Sequence, residues 1–282
     1  MVTKTMSKTK FMGSIGRIFI ASFLLCLAVV VIYPLLWMVM NGFKSNGDML
    51  SSPFSWPREL NWQNYVKAWN RGVSSYLTIS ILVTVTSTLT TILISAWAAY
   101  GLTRVAIPFN RLMTTLVLGG LMLAPAVALV PLVKLFQALG LYNTYWALLI
   151  LYTAFRIPFC TFLIRSYMLD LPREVDEAAE MDGASPAATF WRVILPMCRP
   201  IIVSAVVLNV LFTWNEYLFA MVFTSGGDFQ TLPVGLTSLM SKNGTDYPVV
   251  FAGMVIAAIP VVVLFFASQR YFIRGLADGM GK

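Results

Sequence analysis

REVDEAAEMDGASPAATFWRVILP, residues 173–196, is the one long polar passage in an otherwise apolar chain, and its position between apolar segments decides how the rest is read. Asp170, Glu174, Asp176, Glu177, Glu180 and Asp182 make up six of the twelve acidic residues of the whole sequence. Pro172 suits the opening of a helix, because a first-turn residue has no use for an N–H. Gly183 suits its end, where positive φ is commonly required. Ser185-Pro186 is a restart signal, a hydroxyl cap followed by a residue preset for the first turn. Pro196 closes the second piece. The reading is a helix–turn–helix hairpin over residues 170–196 on a membrane surface, small-sided at Ala178 and Ala179 and acidic along one edge.

Working outward, the 282 residues are 58% hydrophobic and 11% charged, with mean hydropathy +0.77. That is too little charge for a water-facing surface and implies an integral membrane protein. Histidine is absent, which removes His-based triads and His metal sites. Cys26, Cys160 and Cys198 are far apart in or beside apolar segments, with neither disulfide framework nor metal spacing.

Apolar runs predict an all-α, polytopic protein with six transmembrane helices in one membrane domain, at about 18–43, 76–102, 112–135, 143–168, 200–223 and 248–269. The first run is longer than a signal-peptide core and is expected to be retained. Loop 44–75, with Trp56, Trp62 and Tyr65, is expected to fold back along the outer interface. Ser95, Ala96, Ala98, Ala99 and Gly101 mark a close-packing face on span two. Pro125 and Pro131 predict a bend in span three. Lysines and arginines set the orientation. Thirteen fall on the side of residues 1–17 and of the hairpin, against six (Lys44, Arg58, Lys67, Arg71, Lys134, Lys242) on the other. Both termini and the hairpin are therefore expected in the cytoplasm. The formal charge of +8 is thus a topology signal rather than a nucleic-acid patch.

Away from the span ends, two charged residues fall inside spans, Arg156 and Glu216, and each must face protein, a partner charge or water. Asn209, Thr213 and Glu216 share one helical face, with Trp214, Asn215 and Tyr217 to the sides. Polar acceptors beside aromatic rings suit a sugar's hydroxyls and C–H faces, so these six residues are a candidate substrate pathway. The alternative is helix-to-helix adhesion, with Glu216 paired to Arg156. No GxxxxGK[ST] phosphate loop is present, so energy for a pump has to come from a partner.

Glu177-Ala178-Ala179, three residues, Gly183, nine residues, then Val193-Ile194-Leu195-Pro196 resembles the EAA loop of binding-protein-dependent ABC import permeases, with Val193 where isoleucine is usual. The whole chain resembles the MalG-type permease subunit of carbohydrate ABC importers. Asp182-Gly183-Ala184-Ser185-Pro186, Trp214-Asn215-Glu216-Tyr217, Leu232-Pro233-Val234-Gly235 and the ending Gln269–Leu276 carry that likeness. The resemblance implies half of a transmembrane pathway in a bacterial or archaeal cytoplasmic membrane. It implies a second, MalF-like permease subunit, an ABC ATPase dimer that holds ATP and magnesium, and an external sugar-binding protein. It makes the loop a coupling helix, with Glu177, Ala178, Ala179, Asp182 and Gly183 meeting the ATPase. The tail Gly275-Leu276-Ala277-Asp278-Gly279 departs from the family's run at Ala277 and Asp278.

Two other classes fit the sequence less well. An ion-coupled secondary carrier using Glu216 is opposed by the small number of spans, by the lack of an internal repeat and by a hairpin it would not need. A membrane enzyme is opposed by the lack of a nucleophile–base pair or paired carboxylates in the spans.

Overall fold

The structure, a computed structural model, describes residues 5–224, 227, 229–240 and 245–280, apart from the side chains of 5–15, 18 and 270–280. Lys4, Gly226, Asp228, Lys242, Gly244 and Lys282, together with the side chains of the tail 275–279, lie outside the described residues. Every regular element among the described residues is helical. Among the described residues, four helices are long and apolar enough to cross a membrane: Phe19–Gly42, Gln63–Arg104, Tyr145–Leu169 and Tyr247–Gln269. The expected six are reached only if two bent pairs each count as one span. These are Asn110–Met122 with Pro125–Ala138, bent by 99°, and Pro186–Met197 with Arg199–Trp214, bent by 78°. The chain is an all-α, multi-pass membrane protein. It divides into two compact units, Met1–Arg71 with Leu239–Ile256 and Gly72–Ser238 with Ala257–Lys282.

In the first unit α1 (Thr5–Gly42) is followed by α2 (Asn46–Ser51) and α3 (Gln63–Ala68). A helix end leaves carbonyls without partners, and here side chains supply them. Asn64 Nδ2 donates to Gly42 O at 2.9 Å and to Lys44 O at 2.8 Å. The Lys44 ammonium, 2% exposed, donates to the carbonyls of Ser52 and Pro53 at 2.9 and 3.0 Å. Burial pushes the Lys44 pKa down, partly offset by the nearby Asp48 carboxylate. Phe43, Trp62 and Tyr65 pack ring to ring, Phe43 lying 4.8 Å from each of the others. The polar loop therefore closes over the end of α1, whereas the side chains of Phe19–Leu36 are exposed.

The second unit is built on α4 (Ser74–Arg104) packed along α7 (Tyr145–Leu169). Ser95, Ala96 and Ala99 are fully or almost fully buried, and Ser95 Oγ donates to Ile157 O at 3.3 Å. Small side chains let the two backbones approach, as the sequence predicts. Between them in sequence come α5 (Asn110–Gly119), a 3₁₀ turn (Gly120–Met122) and α6 (Pro125–Ala138). Pro125 occupies the first turn of α6, so the break falls just before it, while Pro131 lies inside the helix. A Cβ at Gly120 would stand 2.7 Å from the Pro158 ring, so glycine permits that close approach. Then follow α8 (Glu174–Met181), α9 (Pro186–Thr189), a π turn (Phe190–Ile194), α10 (Leu195–Met197), α11 (Arg199–Trp214), α12 (Leu218–Phe223) and α13 (Leu232–Ser238). The last helix, α14 (Tyr247–Met280), begins in the first unit and ends in the second.

The continuous span expected over 200–223 is interrupted at Asn215–Tyr217, between α11 and α12. Glu216 caps the restart. Its carboxylate accepts from Phe219 N at 2.8 Å and Ala220 N at 3.0 Å, the amides that a continuing helix would pair with backbone carbonyls.

Candidate functional site

Two places stand out in the second unit, the 170–196 hairpin and a cavity beside the break. In the hairpin α8 begins at Glu174, two residues after Pro172, with Arg173 as a cap that makes no side-chain bond. Glu174, Asp176 and Glu177 lie in its first turn, where carboxylates offset the positive end of the helix dipole. The helix ends in a Schellman turn. Gly183 has φ +77°, Gly183 N donates to Glu180 O at 2.9 Å, and Ala184 N donates to Ala179 O at 2.9 Å. Ser185 Oγ then accepts from Ala188 N at 3.3 Å, and Pro186 occupies the first position of α9. The π turn lets Leu195 N reach Phe190 O, and the wider spiral accommodates the Pro196 ring, which has no N–H to give. The bend follows at Cys198, two residues beyond Pro196.

The hairpin is fastened to the long helices. Arg104, the last residue of α4, sets Nη1 at 2.9 Å from Asp176 Oδ2, and its Nη2 donates to Met168 O and Leu171 O at 2.8 Å each. One guanidinium thus joins the end of α4, the end of α7 and the first turn of α8. Phe190 and Ile194 are buried among Ala96, Ala99, Tyr100, Ile164 and Met168, and the Phe190 ring lies 4.6 Å from that of Trp97. Ala179 turns inward and is buried. Glu177, Ala178, Asp182 and Gly183 are exposed, as is Met181 at 89%. Neither Arg104 nor Met181 stood out in the sequence, since a lone terminal arginine reads only as a loop charge.

Beside the break is a cavity of about 470 Å³, lined by Thr213 and Glu216 of the expected pathway, by Tyr152, Phe155, Arg156 and Phe159 of α7, and by Gly120, Leu121 and residues 123–126 at the α5–α6 bend. Tyr152 OH donates to Glu216 Oε2 at 2.8 Å. Asn209 is fully buried behind the cavity, its Oδ1 accepting from Arg156 Nε at 3.1 Å and its Nδ2 donating to Thr88 Oγ1 at 2.9 Å. Trp214 points elsewhere, its indole N–H donating to Ala257 O at 3.3 Å. Asn215 and Tyr217 border a separate, shallower groove of about 560 Å³ that shares Glu216 with the first. Arg156 and Glu216 form no ion pair. The guanidinium instead stacks over Phe212, 3.8 Å from the ring centroid. The described residues hold no cluster of metal-ligating side chains.

A multi-pass helical protein with a broken membrane helix, a solute-sized cavity at the break and an acidic surface hairpin is built as a transport component. The chain belongs to the binding-protein-dependent transport system inner membrane component family, which matches residues 91–278. It is a non-catalytic transmembrane permease subunit of an ABC transporter. It is 45% identical over 268 residues to the probable ABC transporter permease protein YurM of Bacillus subtilis strain 168, covering 95% of this chain and 89% of that one. It is 33% identical over 261 residues to the trehalose/maltose transport system permease protein MalG of Thermococcus litoralis, covering 91% and 93%. A solved bacterial ABC transporter involved in alginate import shares the fold, with TM-score 0.82 at 23% identity over 92% of this chain and 97% of that one.

Proposed function

We infer that this chain is a MalG-like permease subunit of an ATP-driven, binding-protein-dependent sugar importer, and that it forms half of the pathway for an oligosaccharide or related sugar. The relatives support the sugar reading. Besides the trehalose/maltose permease, they include a diacetylchitobiose uptake permease of Streptomyces coelicolor, 35% identical over 255 residues. Its partners are a MalF-like permease, an ABC ATPase dimer that binds ATP and magnesium, and a sugar-binding protein. The complex sits in the cytoplasmic membrane, with both termini of this chain in the cytoplasm.

The observation that carries the coupling reading is the Arg104 joint. A docking element that is to move membrane helices has to be tied to them, and α8 is tied to two. In this reading Glu177, Ala178, Asp182 and Gly183 lie against the ATPase, and inward-facing Ala179 seats α8 on its own spans. Thr213 and Glu216 line the solute path, Asn209 stiffens its wall, and Trp214, Asn215 and Tyr217 shape its rim. The test is uptake of labelled oligosaccharide by proteoliposomes holding the four-component complex. Uptake is expected to require the binding protein and ATP and to survive a protonophore. Uptake by this chain alone, or uptake that collapses with the ion gradient while ATP remains, would refute the proposal.

A further inference from the structure

Arg156 is the unusual group in the second unit. It lies mid-way along α7, a membrane helix, where an ionised side chain is costly unless something compensates it. The compensation inside this chain is thin: Nε donates to the Asn209 amide oxygen, and the guanidinium plane rests on Phe212. Its Nη2 is buried without a hydrogen-bond partner, and no carboxylate of the described residues comes within 4.0 Å. The obvious neutraliser, Glu216, is committed elsewhere. Its Oε1 accepts from Phe219 N, and its Oε2 accepts from Ala220 N and from Tyr152 OH. Thr213, on the same cavity wall, has a buried Oγ1 that is also unpartnered.

The cavity is thus lined by a guanidinium that no carboxylate of the described residues neutralises, bordered by the rings of Phe155, Phe159 and Phe212. Its volume of about 470 Å³ lies within the ~300–1,000 Å³ usual for small-molecule sites. A neutral hydroxyl would answer one donor and leave the charge unmatched. A planar carboxylate matches the guanidinium fork with two oxygens. We propose that this cavity is a binding subsite for an anionic group on the carried solute, a uronate-type carboxylate, with Arg156 as the specificity-determining residue. This rests on the importer reading and adds the charge of the substrate.

The test uses the four-component transporter in proteoliposomes, comparing a galacturonate disaccharide with the matching galactose disaccharide. The same binding protein is used throughout, so its own preference cancels between variants. Arg156→Gln is expected to lower the acid-to-neutral uptake ratio about tenfold, and Arg156→Lys to hold it within about threefold. An unchanged ratio, or equal loss of both sugars in both variants, overturns the proposal and leaves the sugar reading intact. If neither disaccharide is carried, the subsite is judged by melting of the purified complex with glutarate. A rise in melting temperature that Arg156→Gln abolishes supports the subsite, and no rise overturns it. A melting temperature that follows phosphatidylglycerol content instead of solute identifies a lipid headgroup and also overturns it.

Discussion

Arg104 and Asp176 stand 2.9 Å apart with side chains only 6% and 18% exposed, 72 positions apart in sequence, and they hold the base of the surface hairpin to the end of α4. Removing one partner of such a sheltered pair strands the other charge, at a cost of about 3–5 kcal/mol when fully buried. Arg104→Gln should be worse than Asp176→Asn, since it also frees the Met168 and Leu171 carbonyls. Both variants should assemble and keep basal ATP hydrolysis while solute uptake falls at least about tenfold. Parallel ATPase and uptake assays on one preparation check this, and undiminished uptake in Arg104→Gln would remove the joint from the mechanism.

Gly183 holds φ +77° with nothing within 4 Å of a would-be Cβ, so within this chain backbone conformation decides what is tolerated there, and in the proposed docking a small polar side chain has room beside the ATPase. A left-handed conformation costs an ordinary L-residue about 1–2 kcal/mol and costs asparagine less. Gly183→Asn should transport near the parental rate, while Gly183→Val should melt lower and transport poorly. Thermal melting and uptake of the two variants decide it; equal behaviour would mean that the turn is not constrained.

Glu216 caps α12 and accepts a third bond from Tyr152. Glu216→Gln keeps one acceptor oxygen and should lose less stability than Glu216→Ala, for which the usual cap loss is about 0.5–2 kcal/mol. Tyr152→Phe removes one bond and should fall between the parent and Glu216→Ala. Melting of the purified complex gives the order, and a Glu216→Ala protein as stable as the parent would show that the break stands without its cap.

Met181, 89% exposed, reports which side the hairpin faces. Cys160 and Cys198 are buried, so replacing exposed Cys26 by serine gives a quiet background. A Met181→Cys protein in intact cells should react with a permeant maleimide and not with an impermeant one. Labelling by the impermeant reagent would invert the orientation.

Local chemistry was legible. The Schellman turn at Gly183 and the restart at Ser185-Pro186 use signals confined to a few adjacent residues, and the small face of α4 shows as a run of Ser and Ala. The interruption at Asn215–Tyr217 was not legible, because Asn209, Thr213 and Glu216 also fit one face of an unbroken helix. Nothing there resembles Gly or Pro, and the restart is capped by a side chain reaching forward to its own next amides. The Arg104 joint was hidden for another reason. Its partners lie on α7 and α8, and a single sequence carries no sign of which distant groups a terminal arginine meets. Proline gave mixed guidance: Pro125 begins a helix after the sharp bend, whereas Pro131 sits within that helix.

The bare flank of α1 has a consequence for how this chain tolerates change. From Phe19 to Leu36 the side chains are exposed, so exchanging Leu, Ile, Val or Phe there disturbs little internal packing as long as the segment stays apolar. A few residues later the rule reverses. Trp37 is wedged edge-on against Phe251 at 5.1 Å, and the Asn41 amide is tied back to the Trp37 carbonyl at 2.8 Å. One continuous rod therefore carries two mutational regimes, permissive for its first part and exacting in its last turns.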